Sequence, residues 1–292
     1  MKMLTFCTAW GIREPLPSLA RRAHAAGYDG LESPMPDDAS ERAELAAVLA
    51  ELGMPWIMEV CTAGSYVPRR AASPQAHADD LRVALEQCAA TPELNPIRVN
   101  CLGGLDAWPE PVTERFLREG IAQAAALGLS LSFETHRSRS LFNPWVTARM
   151  LAALPELRLT ADISHWCVVA ERLMDTEPEV IAQMAAHVDH IHARVGYDQG
   201  PQVPHPAAPE YQHCLASHQH CWAQFWQAQH AAGMTETTLT PEFGPDGYLH
   251  LAPFSREPVG DLWDINKWMA ETERGHFQRW QLEHTHDTEK LE

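Results

Sequence analysis

Residues 187–195 read HVDHIHARV, which combines a strand pattern with an unusual set of side chains. Apolar and polar residues alternate at a period of two, as in a β-strand: Ile191, Ala193 and Val195 against His190, His192 and Arg194. Strands of a parallel sheet are covered on both sides, so a polar face normally has no place there. The stretch therefore indicates a strand that packs one face on outer helices and turns the other toward an enclosed polar interior.

Seven more strand-sized apolar runs occur along the chain, with helical patterns between them. The predicted strands cover residues 4–10, 28–33, 55–60, 97–103, 129–136, 157–165, 188–195 and 237–244. Eight βα units predict an α/β protein with a closed (β/α)₈ TIM barrel: a single domain over 1–292, with 250–292 as a C-terminal helical extension. A doubly wound open sheet is the alternative, although no GxGxxG or phosphate-binding loop follows any predicted strand.

Helix boundaries are predicted from capping residues. Ser40, Asn143 and Thr176 are the expected N-caps of three helices. Four helices are expected to end on a glycine that leads into a strand, namely Gly27, Gly53, Gly128 and Gly233.

Composition limits the range of partners. The formal net charge is −17, from 39 acidic and 22 basic residues, so neither nucleic acid nor an anionic membrane is expected to bind. The chain has neither an apolar run long enough to span a bilayer nor a signal-peptide core at its N-terminus. Seven cysteines without a CxxC pair favour reduced thiols, and we expect a cytoplasmic protein.

The split into an apolar and a polar face recurs on predicted strands five, six and eight. On each of four successive strands the polar face ends in a residue that can bind metal: Glu134, Asp162, His192 and Glu242. In a barrel these residues would face the lumen at the C-terminal mouth, where barrel active sites lie. Carboxylates with one imidazole suit one divalent ion (Mn²⁺, Zn²⁺, Co²⁺, Fe²⁺ or Mg²⁺). Without a cation these buried carboxylates would be uncompensated.

The motifs that carry these residues resemble the xylose-isomerase-like TIM-barrel superfamily. They are SFETH on strand five, ADISHW on strand six, HIHAR on strand seven and PEFG on strand eight, with GYDGLES on strand two as a further likeness. The superfamily contains sugar isomerases and epimerases, and endonuclease IV is a distant member. The resemblance extends to about residue 250. It implies metal ligation by Glu134, Asp162, His192 and Glu242, contact of His165 with substrate oxygens, and a homo-oligomer.

Two departures from the epimerase branch concern the substrate. That branch has a longer segment with Glu and Arg after the strand-seven histidine, whereas here Arg194 follows at once. Strand five also continues with His136, Arg137 and Arg139, which is more basic than a neutral sugar requires. The reaction of the family can therefore carry over while its substrate does not.

Several further residues are candidates for the site. His190 is an alternative to His192 as ligand, although His192 lies nearer the mouth and matches the family pattern. Glu32, Glu59 and Asn100 would bind substrate hydroxyls, or else pair with neighbours. Arg137 and Arg194 would clamp an anionic group, or else neutralise the carboxylates. His136 is a further candidate for substrate binding.

The longest irregular segment, residues 196–211, reads GYDQGPQVPHPAAPEY and follows strand seven. As a βα loop it leaves from the catalytic end of the barrel, and its prolines lower the entropy cost of holding one shape. We expect either a lid, with Tyr197, Gln202 and His205 facing a substrate, or a contact between subunits.

The leading functional hypothesis is a metal-dependent isomerase or epimerase that acts on a small polyhydroxy carbonyl compound. The reaction would pass through an enediolate, with Glu134 and Glu242 taking and returning a proton. A lyase or dehydratase on a keto-sugar or sugar acid is the alternative. A hydrolase of the endonuclease IV type fits the acidic charge poorly, and a metal-binding protein without turnover is the remaining possibility.

Overall fold

In the computed structural model, which describes residues 1–245 and 247–288, eight parallel strands form a closed barrel in sequence order. The strands are β1 (Lys2–Thr8), β2 (Gly30–Pro34), β3 (Trp56–Cys61), β4 (Arg98–Leu102), β5 (Leu131–Glu134), β6 (Leu159–Ala161), β7 (Val188–His192) and β8 (Glu236–Thr240). Each strand pairs with the next, and β8 pairs with β1 from Lys2 opposite Glu236 onward. The prediction of a (β/α)₈ barrel is confirmed.

Helices alternate with the strands around the outside of the barrel. They are α1 (Leu16–Ala25), α2 (Ala39–Leu52), α3 (Pro74–Ala89), α4 (Glu110–Ala126), α5 (Pro144–Ala153), α6 (Ser164–Ala170), α7 (Pro178–Ala185), α8 (Gln212–Ala231) and α9 (Leu262–Thr288), with short 3₁₀ turns at Met174–Thr176 and Pro209–Tyr211. No helix in the described part of the chain is both long enough and apolar enough to cross a bilayer.

The C-terminal helix α9 follows the outer wall of the barrel from one end to the other. Its Asn266 bonds to Phe243 just after β8, and its Gln281 bonds to the carbonyl of Met1 at the opposite end. The predicted extension over 250–292 thus contains the outer helix of the eighth βα unit. Residues 289–292 of that extension lie outside the described residues.

One of the three predicted N-caps is confirmed. Asn143 accepts a hydrogen bond from the Val146 N–H at 2.8 Å, and Pro144 follows as the first helical residue. Ser40 is wrong as a cap because Asp38 already accepts the bond from the Glu41 N–H. Thr176 is wrong because its hydroxyl donates to the Leu173 carbonyl within the 3₁₀ turn, and α7 begins after Glu177. The four predicted glycines all adopt a positive φ: Gly27, Gly53, Gly128 and Gly233.

Six strands end earlier than the sequence predicts, and strands six, seven and eight do so by three or four residues. Strand six stops at Ala161 because Ser164 begins helix α6, which places His165 on that helix instead of on the strand. Strand seven stops at His192. Strand eight stops at Thr240, since Pro241 has no N–H to donate to the ladder. Residues following these strands therefore rim the mouth of the barrel.

Two separate apolar clusters lie on the two sides of the sheet. The larger one fills the space between strands and helices and includes Leu131, Phe133 and Ile191, as the alternation predicts. The smaller one consists of Leu4, Phe6 and Ile57. These three residues alternate along β1 and β3 with members of the outer core, so they close the N-terminal end of the lumen.

Candidate active site

Above this apolar cluster, the structure brings the four predicted ligands together at the C-terminal mouth. Glu134 and His192 are the last residues of β5 and β7, while Asp162 and Glu242 follow β6 and β8. One ligand atom from each lies within 4.8 Å of the others, and all four residues are buried. Atoms bound at 2.0–2.6 Å to one shared ion lie at most about 5.2 Å apart. These four residues, named the mouth cluster below, therefore have the spacing that a single ion requires.

The imidazole of His192 is oriented by one carboxylate and faces two others. Its Nε2 lies 3.0 Å from Glu32 Oε1. Its Nδ1 lies 3.1 Å from Glu242 Oε2 and 3.6 Å from Glu134 Oε2, and it is buried with no well-formed hydrogen bond to any described residue. A histidine that binds metal through one nitrogen commonly uses the other to bond a carboxylate. The orphaned Nδ1 and the donor set of the mouth cluster fit a divalent ion.

Burial shifts the protonation of the mouth cluster. It raises the pKa of Glu134 to about 7, opposed by the imidazole of His192. Burial also raises the pKa of Asp162, against the attraction of Arg194. For His192 burial acts the other way, but the carboxylates of Glu242, Glu32 and Glu134 outweigh it and hold its pKa well above the usual range. The cluster therefore retains protons that a bound cation would release.

Beneath the mouth cluster lies a second polar group, named the floor network: Glu32, Asn100, His190, Thr238 and Thr240. His190 Nδ1 lies 2.8 Å from Thr238 Oγ1, and its Nε2 lies 3.0 Å from Thr240 Oγ1 and 3.2 Å from Glu32 Oε2. Glu32, His190 and His192 are also close enough together to hold an ion. Both nitrogens of His190 already face hydroxyls, however, which favours His192 as the ligand.

Asn100 joins the two polar groups. Its Nδ2 donates to Glu134 Oε2 at 3.1 Å and lies 3.3 Å from Glu32 Oε1. Asn100 thus orients a carboxylate of the mouth cluster, the alternative to the substrate contact that we expected from the sequence.

Arg194 carries a positive charge into the mouth. It is 1% exposed, donates from Nη2 to the Asp162 carboxylate, and lies 3.5 Å from Glu242 Oε2. The same Nη2 donates to His165 Nε2 at 2.6 Å. Of the two predicted roles, these contacts favour neutralisation of the carboxylates over the clamping of an anionic substrate.

Two further histidines lie against each other at the edge of the mouth, with their ring planes tilted by 49°. The rings of His136 and His165 have centroids 3.8 Å apart, and His136 lines the pocket. Burial lowers the pKa of both imidazoles well below the usual range, so both are neutral at physiological pH. Nδ1 of His165 is buried without a hydrogen-bond partner in the described part of the chain.

A pocket of about 410 Å³ opens over the mouth cluster. Glu59, Glu134 and Glu242 line its polar side, and Trp10, Tyr66 and Leu102 line its apolar side. Trp10 packs against Tyr248 and Tyr66, with ring centroids 4.9 and 5.6 Å apart. Tyr66 and Tyr248 have no counterpart among the predicted site residues, because both lie in irregular segments without a periodic pattern.

Glu59 lies on β3 and faces the pocket, as predicted for a residue that contacts substrate hydroxyls. Burial, together with the carboxylates of Glu242, Glu32 and Glu134, raises its pKa to about 8. The side chain is therefore largely protonated at neutral pH and can donate a hydrogen bond to an oxygen in the pocket.

The basic stretch after β5 supports the pocket wall. Arg139 is fully buried and donates to three carbonyl oxygens of the loop after β3, those of Thr62, Ser65 and Tyr66. The guanidinium of Arg137 lies 4.9 Å from the ring centre of Tyr248. Arg139 thus acts on a loop that lines the pocket, and its position in the sequence alone gave no signal of this role.

The segment 196–211 packs onto the barrel. The Val203 N–H bonds to the Val195 carbonyl at 2.9 Å, and the ring of His205 lies 6.0 Å from that of Trp268. Tyr197 packs on Tyr211. Gln202 is 1% exposed, and both ends of its amide group bond to the backbone of Gly244. The role of the segment 196–211 as a lid or a subunit contact stays a prediction.

Residues 20–207, more than half of the chain, match the family model described as xylose isomerase-like TIM barrel. The chain belongs to this family. None of the curated proteins matches the sequence.

Several solved structures share the fold at low sequence identity. An L-ribulose 3-epimerase is 15% identical with a TM-score of 0.64, over 98% of this chain and 97% of its own. The 3-keto-D-glucoside 4-epimerase YcjR from E. coli is 13% identical with a TM-score of 0.60, over 94% and 99%. A xylose isomerase-like TIM barrel protein from Mycobacterium smegmatis in complex with magnesium is 15% identical with a TM-score of 0.59, over 89% and 88%.

Proposed function

We propose that the protein is a divalent-metal-dependent isomerase or epimerase that acts on a small polyhydroxy carbonyl compound. The carrying observation is the mouth cluster at the base of the pocket, where the orphaned Nδ1 of His192 faces the carboxylates of Glu134 and Glu242. The sugar epimerases among the solved structures of similar fold support the choice of substrate class.

The proposed reaction moves one proton on the substrate. A bound divalent ion would polarise the carbonyl and the neighbouring hydroxyl and make the intervening C–H more acidic. Glu134, at the end of β5, and Glu242, after β8, approach His192 from different strands. One carboxylate would take the proton from the substrate carbon to give an enediolate, and the other would return a proton to it.

Neighbouring residues would hold the substrate. Glu59 can donate a hydrogen bond to a substrate oxygen, because its raised pKa keeps it largely protonated. His165 has a buried Nδ1 beside the mouth that bonds to none of the described residues, and His136 lines the pocket next to it. Trp10 and Tyr66 exclude water from one side of the pocket, which protects an enediolate from random protonation.

A metal-dependent lyase or dehydratase on a keto-sugar or sugar acid remains the second candidate, since it begins with the same proton abstraction. The sequence favours it through the basic residues after β5. In the structure Arg139 is engaged with carbonyls of the β3–α3 loop and Arg194 with Asp162. Both arginines are thus bound within the protein, so the observations favour the isomerase.

Removal of the metal tests the proposal. Dialysis against a chelator should abolish turnover on a panel of ketoses, 3-keto sugars and sugar acids, and Mn²⁺ or Co²⁺ should restore it more fully than Ca²⁺. Product analysis in deuterated water separates the two reactions: an epimerase incorporates deuterium at the inverted carbon, and a dehydratase releases water. Full activity in metal-free protein would overturn the metal role.

A further inference from the structure

Glu242 lies farther beyond its strand than the other members of the mouth cluster. Glu134 and His192 still pair within the sheet, opposite Thr160 and Thr240. Strand β8 ends at Thr240, and Pro241 cannot donate to the ladder. Buried peptide groups almost always find partners. The peptides of residues 242–244 must therefore be held by something other than a neighbouring strand.

A side chain of α9 holds the peptide groups of Phe243. Asn266 Oδ1 accepts from the Phe243 N–H at 2.8 Å, and Asn266 Nδ2 donates to the Phe243 carbonyl at 3.0 Å. The amide side chain thus makes the pair of bonds that a neighbouring strand would make.

A side chain of the 196–211 segment holds the next peptide in the same way. Gln202 Oε1 accepts from the Gly244 N–H at 2.9 Å, and its Nε2 donates to the Gly244 carbonyl at 3.3 Å. The indole of Trp10 closes another side, since a Cβ on Gly244 would lie 1.9 Å from Trp10 Cζ3. The backbone next to Glu242 is therefore fixed by three different parts of the chain.

We propose that Gln202 and Asn266 are positioning residues for Glu242: they hold the two residues that follow it, so that its carboxylate faces His192. The effect on metal binding rests on the function proposed above. Because Gln202 belongs to the β7–α8 segment, the order of that segment is coupled to the position of Glu242. An ion bound in the mouth cluster would stabilise the packed form of the segment 196–211, and loosening of that segment would lower the affinity for the ion.

The test uses substitutions of nearly equal volume in the full-length protein. Gln202→Met and Asn266→Leu remove one pair of bonds each. Gln229→Met is the matched control, because Gln229 is also buried and donates to a backbone carbonyl, that of Val188 at the start of β7. Titration calorimetry with Mn²⁺ should give a dissociation constant about 10–100-fold higher for Gln202→Met and Asn266→Leu (the clamp variants), which is the usual effect of losing a residue that orients a metal ligand. The control should have an unchanged constant.

Hydrogen exchange at residues 243 and 244, measured by mass spectrometry on metal-free protein, gives a readout independent of metal. Exchange there should become faster in the two clamp variants and stay slow in Gln229→Met. Unchanged Mn²⁺ affinity or unchanged exchange in both variants would overturn the positioning role. If the wild type binds no Mn²⁺, the proposed function fails, and the hydrogen-exchange result alone tests the positioning role of Gln202 and Asn266. The two substitutions lie on different elements, so either one suffices if the other prevents folding.

Discussion

The floor network and the mouth cluster are neighbours in one lumen and use the same residue types, yet their electrostatics are opposite. In the floor network, burial favours the neutral form of Glu32, but His192 and His190 hold the pKa of its carboxyl well below the usual range. In the mouth cluster the pKa of Glu134 is raised to about 7, because burial and the charges of Glu242 and Asp162 together outweigh the lowering by the imidazole of His192. Burial is common to both carboxylates, so the neighbours decide the difference.

The contrast separates a structural polar group from one that is prepared for a ligand. Glu32 is surrounded by donors, with two imidazoles, the Asn100 amide and the Thr240 hydroxyl around its two oxygens. Carboxylates of the mouth cluster instead face one another across His192. Buried polar groups are normally satisfied, and clustered exceptions mark functional sites. The two groups should therefore respond differently to substitution.

The largest effect is expected at the mouth. Glu242→Gln should lower kcat by about 10²–10⁴-fold, the usual contribution of an acid–base group. The free energy of unfolding in the presence of chelator should change little, because the lost repulsion from Glu134 offsets the lost attraction to His192. Steady-state kinetics and urea unfolding measure the two quantities. Retained activity with a loss of stability would place Glu242 among the structural groups.

In the floor network we expect substitution to affect stability most strongly. Glu32→Ala should reduce the free energy of unfolding by about 3–5 kcal/mol, since it leaves His190 and His192 without the carboxylate that both of them face. Urea unfolding in chelator measures this loss. Glu32→Gln is the control, because it keeps the volume and part of the hydrogen bonding. Equal stability of Glu32→Ala and Glu242→Gln would erase the distinction between floor and mouth.

The smallest effect on the free energy of unfolding is expected from His218, a histidine outside the lumen with both ring nitrogens hydrogen-bonded. His218 is fully buried; its Nδ1 lies 2.8 Å from the Cys214 carbonyl, and its Nε2 accepts from the Gly196 N–H at 3.2 Å. Burial lowers the pKa of His218 to about 4.

Since an unfolded histidine titrates near 6.5, the unfolded chain binds the extra proton first as the pH falls. The contribution of His218 to the free energy of unfolding should decrease by about 1 kcal/mol between pH 6.5 and 5.5. Unfolding of the wild type and of His218→Gln at several pH values measures this contribution as a difference in slope. Parallel curves for the two proteins would show that His218 does not titrate with a lowered pKa.

The sequence predicts most accurately where a residue's environment follows from strand periodicity. The period of two identifies the lumen face, and the sequence alone therefore predicts that Glu134, Asp162, His192 and Glu242 meet, as they do in the structure. It cannot report where a strand stops, because the helix start at Ser164 and the proline at 241 decide that.

Residues in loops were harder to predict for a different reason. Tyr66, Tyr248 and Arg139 owe their roles to contacts between segments far apart in the chain, such as the bonds from Arg139 to the loop after β3. Gln202 was predicted to face the substrate, but a glutamine side chain bonds equally well to a peptide group, and only the fold places Gly244 beside it. Tertiary contacts of this kind leave no local pattern.

The apolar cluster of Leu4, Phe6 and Ile57 has a kinetic consequence for the site above it. It closes the barrel at the N-terminal end, so the described part of the chain leaves the lumen accessible from the C-terminal mouth. In the proposed reaction, ion, substrate and product would all pass through this mouth, and a substrate bound above the ion would have to leave before it. A bound substrate would then block dissociation of the ion beneath it, and the ion would exchange with solvent only after the substrate or product had left.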